Sequence, residues 1–184
     1  VVHLITPDDF VVITGGPGAG KTTLIEALRA AGHACVAEAG RAIIRDQVAI
    51  GGRALHQGDT ALFAEVMLAW EMRSHHEARA LPGPVFFDRG VTDLVGYHLL
   101  LDRPVPPHVS AAAGLFRYHR RVFAAPPWPE IYSHDAERRQ DLDEAVRTHD
   151  AMVEAYGRHG YEVIPLPRAD VAARVAFVLE RLRR

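Results

Sequence analysis

Apolar and polar positions fall along the chain in two kinds of block. Short runs at 10–14 (FVVIT), 33–37 (HACVA), 85–87 (VFF), 121–125 (RVFAA) and 161–166 (YEVIPL) read as five strands. The central ones are apolar at successive positions, as in strands buried on both faces. Between them, apolar residues spaced three and four apart predict helices over 22–31, 38–50, 59–80, 92–101, 110–119, 137–159 and 169–182. Gly32, the Gly51-Gly52 pair and Pro82-Gly83-Pro84 punctuate the first three. In the longest helix Leu62, Val66, Ala69 and Trp70 share a stripe, with Phe63 and Met67 beside it, so Trp70 is expected in the core. Strands alternating with helices predict one doubly wound α/β domain over 1–184, built on a five-stranded parallel sheet covered on both faces.

Composition narrows the picture modestly. The 184 residues carry a net charge of -2, which leaves no basic footprint for nucleic acid. A single cysteine, Cys35, excludes an internal disulfide and fits a reducing, cytoplasmic setting. No apolar run is long enough to span a membrane and no leader pattern opens the chain, so neither a membrane span nor a signal peptide is expected. The eleven histidines lack zinc-site spacing and are expected mostly at the surface. Of the 21 basic side chains, one alone is a lysine, at position 21.

That lysine stands in GGPGAGKTTL, where Gly15-x-x-x-x-Gly20-Lys21-Thr22 follows a strand and opens a helix, as a phosphate-binding loop must. Glycines let backbone N–H groups converge on phosphate oxygens, and the helix adds the positive end of its dipole. The expected nucleotide-binding set is Gly15, Gly16, Pro17, Gly18, Ala19, Gly20, Lys21, Thr22 and Thr23. The compact ammonium of Lys21 reaches β- and γ-oxygens where a planar guanidinium would be misdirected, and Thr22 offers a hydroxyl to Mg²⁺.

Asp88 ends the third strand, where a carboxylate holds the Mg²⁺ shell in proteins with such loops; a helix cap or a partner for Arg89 is the other reading. Glu38 follows the second strand, at the sheet edge where ligands bind, and is the candidate general base toward an acceptor hydroxyl. The alternative is a first-turn glutamate favoured by the helix dipole. Arg41, Arg73 and Arg89 join Glu38 as candidate acceptor-binding residues, and Asp93 is expected to cap the next helix. The loop after the fourth strand is long enough to act as a lid over about 126–139. Its Arg138 and Arg139 are the candidates to stabilise a migrating phosphoryl group, unless they only pair with neighbouring acids.

Taken together, GGPGAGKTTL, VAEAGRAI, FFDRGVTD, VFAAPPWPEIY followed by DAERRQ, and GYEVIPLP resemble a family of P-loop AAA-like ATPase domains of uncharacterised activity. That family is similar to nicotinamide riboside kinase-type domains. The resemblance implies the P-loop kinase fold, a sheet order 2-3-1-4-5 and a lid around 135–139. It also places Lys21, Thr22, Asp88, Glu38 and the lid arginines on the family's motifs. The expected activity is Mg²⁺-dependent phosphoryl transfer from ATP to a small hydroxyl-bearing, nucleoside-like metabolite. GTP is the alternative donor, and a regulatory ATPase or GTPase switch acting on a protein or lipid partner is the alternative function.

Overall fold

In the computed structural model, which describes residues 6–131 and 142–183, the apolar runs become β1 (Phe10–Gly15), β2 (Ala34–Val36), β3 (Val85–Asp88), β4 (Arg121–Ala125) and β5 (Glu162–Pro165). All four pairings are parallel and the order is β2-β3-β1-β4-β5, as the family resemblance implies. The helices among the described residues are α1 (Lys21–Ala30), α2 (Ala39–Ile50), α3 (Thr60–Ala78), α4 (Val91–Leu100), α5 (Pro107–Leu115), α6 (Leu142–Arg158) and α7 (Val171–Arg183). None is long and apolar enough to cross a membrane.

Side-chain alternation divides the core into two layers. Phe10, Val12, Val85, Phe87 and Val122 face α2 to α6, whereas Val11, Ile13, Phe86, Phe123 and Ala125 face α1 and α7. Each fully buried phenylalanine contributes about 1.5–3 kcal/mol, and positions 10–13, 85–87 and 122–125 of the central strands are all apolar. Ile13 pairs with Asp88 on one side and Phe123 on the other, so β1 delivers the glycine-rich loop between the ends of β3 and β4. That edge is the crevice where open α/β sheets bind ligands.

Two elements depart from the periodicity. The fifth helix begins at Pro107 rather than at residue 110, because proline suits the first helical position. It also stops at Leu115, freeing Tyr118 to turn inward and accept a hydrogen bond from the Val91 amide (3.0 Å). On α3 the buried face is Phe63, Ala64, Met67, Leu68, Glu71, His75 and Ala78, while Leu62 and Trp70 are 38% and 40% exposed. Trp70 is therefore not a core residue. Two polar side chains hold the stripe's lower half, and a hydrophobic pattern cannot register them.

Of the nine histidines among the described residues, His75 and His98 are buried and the other seven are not. His75 packs edge-on against Phe10, Phe116 and Tyr118, and its Nε2–H donates to the Arg117 carbonyl (2.9 Å). Burial holds the imidazole below its ordinary 6.5, so it is neutral near pH 7, and burial pushes the Glu71 carboxyl well above 4.5. The signs for stability are opposite. Below pH 6.5 the unfolded chain binds a proton that folded His75 refuses, so stability falls with pH; above pH 4.5 folded Glu71 keeps a proton the unfolded chain releases, so stability falls as pH rises. Glu71→Gln should therefore raise the melting temperature more at pH 8 than at pH 5. His75→Gln should flatten the loss of stability on going from pH 7 to pH 5. Differential scanning fluorimetry across that range checks both, and a pH-independent difference from wild type contradicts the assignment.

Candidate functional site

The glycine-rich loop is shaped by its neighbours as much as by its own freedom. Gly20 precedes α1 with φ 72°, a left-handed conformation open to glycine, and a Cβ there would lie 2.7 Å from Arg174. A Cβ on Gly16 would collide with the Ala145 carbonyl oxygen of α6. Lys21 is 4% exposed and its Nζ donates to the Gly16 carbonyl (2.7 Å), spanning the loop it follows. Gly18, Ala19, Gly20, Lys21, Thr22 and Thr23 line a cavity of about 450 Å³ together with Trp128, Ile131, Asp170 and Arg174. Gly15, Gly16 and Pro17 stand on the approach from β1.

Asp88 is 4% exposed at the end of β3, and its Oδ1 has no hydrogen-bond partner among the described residues. Burial pushes this carboxyl above its usual range, and the Lys21 ammonium pulls it back. A buried carboxyl oxygen left open beside the Lys21 ammonium fits a hydrated Mg²⁺, to which Thr22, exposed on the cavity wall, would add its hydroxyl.

On the other side of the loop, Glu38 stands at the cap position of α2 and Arg89 just after β3. Arg89 adopts φ 77°, a strained conformation for a residue with a side chain. Its amide donates to the Ile13 carbonyl (3.0 Å), and its guanidinium donates to Glu38 Oε1 (3.4 Å) and Asp93 Oδ1 (3.0 Å). Burial opposes its charge, but Glu38, Asp93 and Asp88 outweigh that and hold it protonated. Asp93 caps α4 as expected, its Oδ2 accepting from the Gly90 amide (2.9 Å). It also accepts from Thr14 Oγ1 (2.6 Å) and Tyr156 OH (2.6 Å), which ties β1, α4 and α6 into one network.

Glu38, Arg41, Arg89, Asp93 and Pro17 form the polar end of a second cavity, about 120 Å³ and otherwise lined by Ile44, Phe63, Met67, Tyr97, Leu100 and Met152. Arg41 lines both cavities and pairs with Glu38 (3.8 Å). In the apolar wall, Tyr97 OH and His56 Nδ1 have no partner among the described residues. Burial raises the Tyr97 hydroxyl to about 12 and lowers the His56 imidazole, so both are neutral hydrogen-bonding groups at pH 7.

Arg73 does not join this constellation. It sits on the outer face of α3, 80% exposed and paired with Glu77 (2.7 Å), and Trp70 lines neither cavity. Arg138 and Arg139 lie outside the described residues. Periodicity and motif gave no notice of Thr14, His56, Tyr97 or Tyr156, whereas Trp128 lies in the PPWPEIY segment and the expected lid. Arg174 carried a weak signal, a cation four residues before Val178 on the buried stripe of α7.

The family model described as an AAA domain matches residues 10–174. The chain belongs to this AAA domain family. No curated protein matches the sequence at a significant level. Among solved structures, the AAA domain is similar to deoxyadenosine kinase from M. mycoides with bound dATP, at 13% identity and a TM-score of 0.66 over 95% of this chain and 100% of that one. It is also similar to thymidylate kinase from Ehrlichia chaffeensis, at 17% identity and TM-score 0.61 over 96% and 99% of the two chains. NadR protein in complex with NR matches at 19% identity and TM-score 0.68, covering 96% of this chain and 52% of that one. At these identities the likeness establishes the fold, that of the nucleoside and nucleotide kinases.

Proposed function

We propose that the protein is a Mg²⁺-dependent kinase that transfers the γ-phosphoryl group of ATP to a hydroxyl of a small, nucleoside-like metabolite. One observation carries this reading: two cavities meet at the glycine-rich loop, one walled by the loop and Lys21, the other ending in Glu38 and Arg89, with Arg41 lining both. A donor phosphate in the first and an acceptor hydroxyl in the second would approach each other across Pro17 and Arg41.

The residues divide the work. Backbone N–H groups of the loop and Lys21 hold the β- and γ-phosphates, and Thr22 and Asp88 hold the metal. Bound Mg²⁺ would neutralise phosphate charge. Glu38 accepts the proton as the acceptor oxygen forms its bond to the γ-phosphorus and the bond to the ADP oxygen breaks. Arg89, held by Glu38 and Asp93, orients that carboxylate and can donate to the acceptor. The apolar wall, with Tyr97 OH and the His56 ring as neutral polar points, suits a flat, uncharged body with a hydrogen-bonding edge.

A panel of nucleosides and related hydroxyl compounds, assayed with MgATP for ADP release, tests the proposal. One acceptor is expected to raise ADP formation far above the acceptor-free rate. Lys21→Ala is expected to cut that rate by about 10²–10³-fold, as loss of one preorganised charge donor does. Tight nucleotide binding with acceptor-independent hydrolysis would instead support a regulatory NTPase.

A further inference from the structure

The last helix sends a buried cation to the back of the phosphate-binding loop. Arg174 is 3% exposed, and its guanidinium donates to the carbonyls of Ala19 (3.2 Å) and Gly20 (3.3 Å). Its carbon Cζ lies 5.7 Å from the centre of the Trp128 ring, and its Nε has no partner among the described residues. All the hydrogen bonds it makes among those residues go to carbonyl groups, none to a carboxylate. Arg174 and Trp128 both line the cavity walled by the loop.

The planar trans peptide gives this contact a consequence. In each peptide unit the N–H points opposite to the C=O. The Ala19 carbonyl shares a unit with the Gly20 amide, and the Gly20 carbonyl shares one with the Lys21 amide. Anchoring both carbonyls on the Arg174 side therefore turns both N–H groups the other way. The Gly20 carbonyl also accepts the first helical bond of α1, from the Leu24 amide (3.2 Å), so the anchored unit is continuous with the helix. The missing side chain at Gly20 matters for the same reason, because a Cβ would occupy the space of the guanidinium.

We propose that Arg174 is a positioning residue of the nucleotide site. It fixes the Gly20 and Lys21 amides toward the phosphates, supplies a cation whose countercharge is the bound polyphosphate, and links the loop to Trp128. This rests on the nucleotide-binding reading above. The approach to α7 reinforces the link, since Arg168 donates to the Pro127 carbonyl (2.7 Å), one residue before Trp128. Two strands of the chain far apart in sequence, 127–128 and 168–174, thus close on the loop from the same side. The physical signature is specific: a cation buried without a carboxylate burdens the free protein and is rewarded when an anion arrives.

The test uses MgADP binding to the full chain in a Trp70→Phe background, which leaves Trp128 as the one tryptophan. The parent is expected to bind MgADP with a change in Trp128 emission. Arg174→Met is expected to melt, without nucleotide, at or above the parent's temperature, since an isosteric apolar residue removes the buried charge. The same variant should lose about tenfold to a hundredfold in MgADP affinity, the range for hydrogen bonds to a charged group, together with most of the emission change. Arg174→Lys, which keeps the charge but not the paired donors, should fall between the two. Parental MgADP affinity in Arg174→Met overturns the proposal and leaves the nucleotide reading intact. An affinity loss that only follows a lowered melting temperature also overturns it, because the residue is then merely structural. If Arg174→Met does not fold, Arg174→Lys decides, and parental affinity there overturns the proposal. A parent that binds no nucleotide sinks the nucleotide reading itself, and this inference with it.

Discussion

Glu38→Gln is expected to lower the rate of phosphoryl transfer by about 10²–10⁴-fold, the usual contribution of a positioned general base. Glutamine keeps the shape of the side chain and can still accept from Arg89, but it cannot take a proton. Glu38 lies in the cavity opposite the one walled by the phosphate-binding loop, so nucleotide affinity should stay at the wild-type value. Single-turnover transfer to the acceptor found in the panel, with MgADP affinity measured alongside, separates the two effects. A fall in affinity that matches the fall in rate would show that Glu38 supports the loop rather than the acceptor. An unchanged rate would remove it from the chemistry.

Asp93→Ala is expected to cost about 3–5 kcal/mol of stability, as removing one partner of a buried ion pair does. A domain of this kind has only about 5–15 kcal/mol in all, so the loss takes a large share of its stability. The aspartate is 2% exposed and accepts four hydrogen bonds, from Thr14, Arg89, Gly90 and Tyr156. Without it the Arg89 guanidinium loses its nearest countercharge and the Thr14 and Tyr156 hydroxyls lose their acceptor. Asp93→Asn, which retains one acceptor oxygen, should lie between the variant and wild type. Urea unfolding followed by circular dichroism measures both. A loss under about 1 kcal/mol for Asp93→Ala would mean that the network rearranges around the gap, as a single ordinary hydrogen bond would.

Legibility in the sequence follows the range of the forces. The strands at 10–14, 85–87 and 121–125 were evident because burial on both faces demands runs of successive apolar residues, and the glycine-rich loop was evident because its pattern lies within eight consecutive positions. Glu38, Arg41 and Arg89 were placed near an acceptor by their positions at strand ends, and the fold brings them into one cavity. Arg73 was placed with them by its position on the 59–80 helix, and that helix turns it outward to Glu77. The stripe on α3 misled for the same reason: Trp70 is apolar at a suitable spacing, yet Glu71 and His75 hold part of the buried face.

The sequence by itself determined the class of fold, the place of the glycine-rich loop between the first strand and helix, and the sheet edge on which that loop stands. These follow from local spacing, burial and the peptide geometry of a few neighbouring residues. Only the tertiary structure decided that Asp93 gathers Thr14, Arg89 and Tyr156, that two cavities share Arg41, and that Arg174 braces a loop more than 150 positions before it. Those contacts join groups whose separation along the chain carries no periodic signal. They exist because a parallel sheet brings successive strand ends to one edge, where the helices that cover it deliver their polar residues.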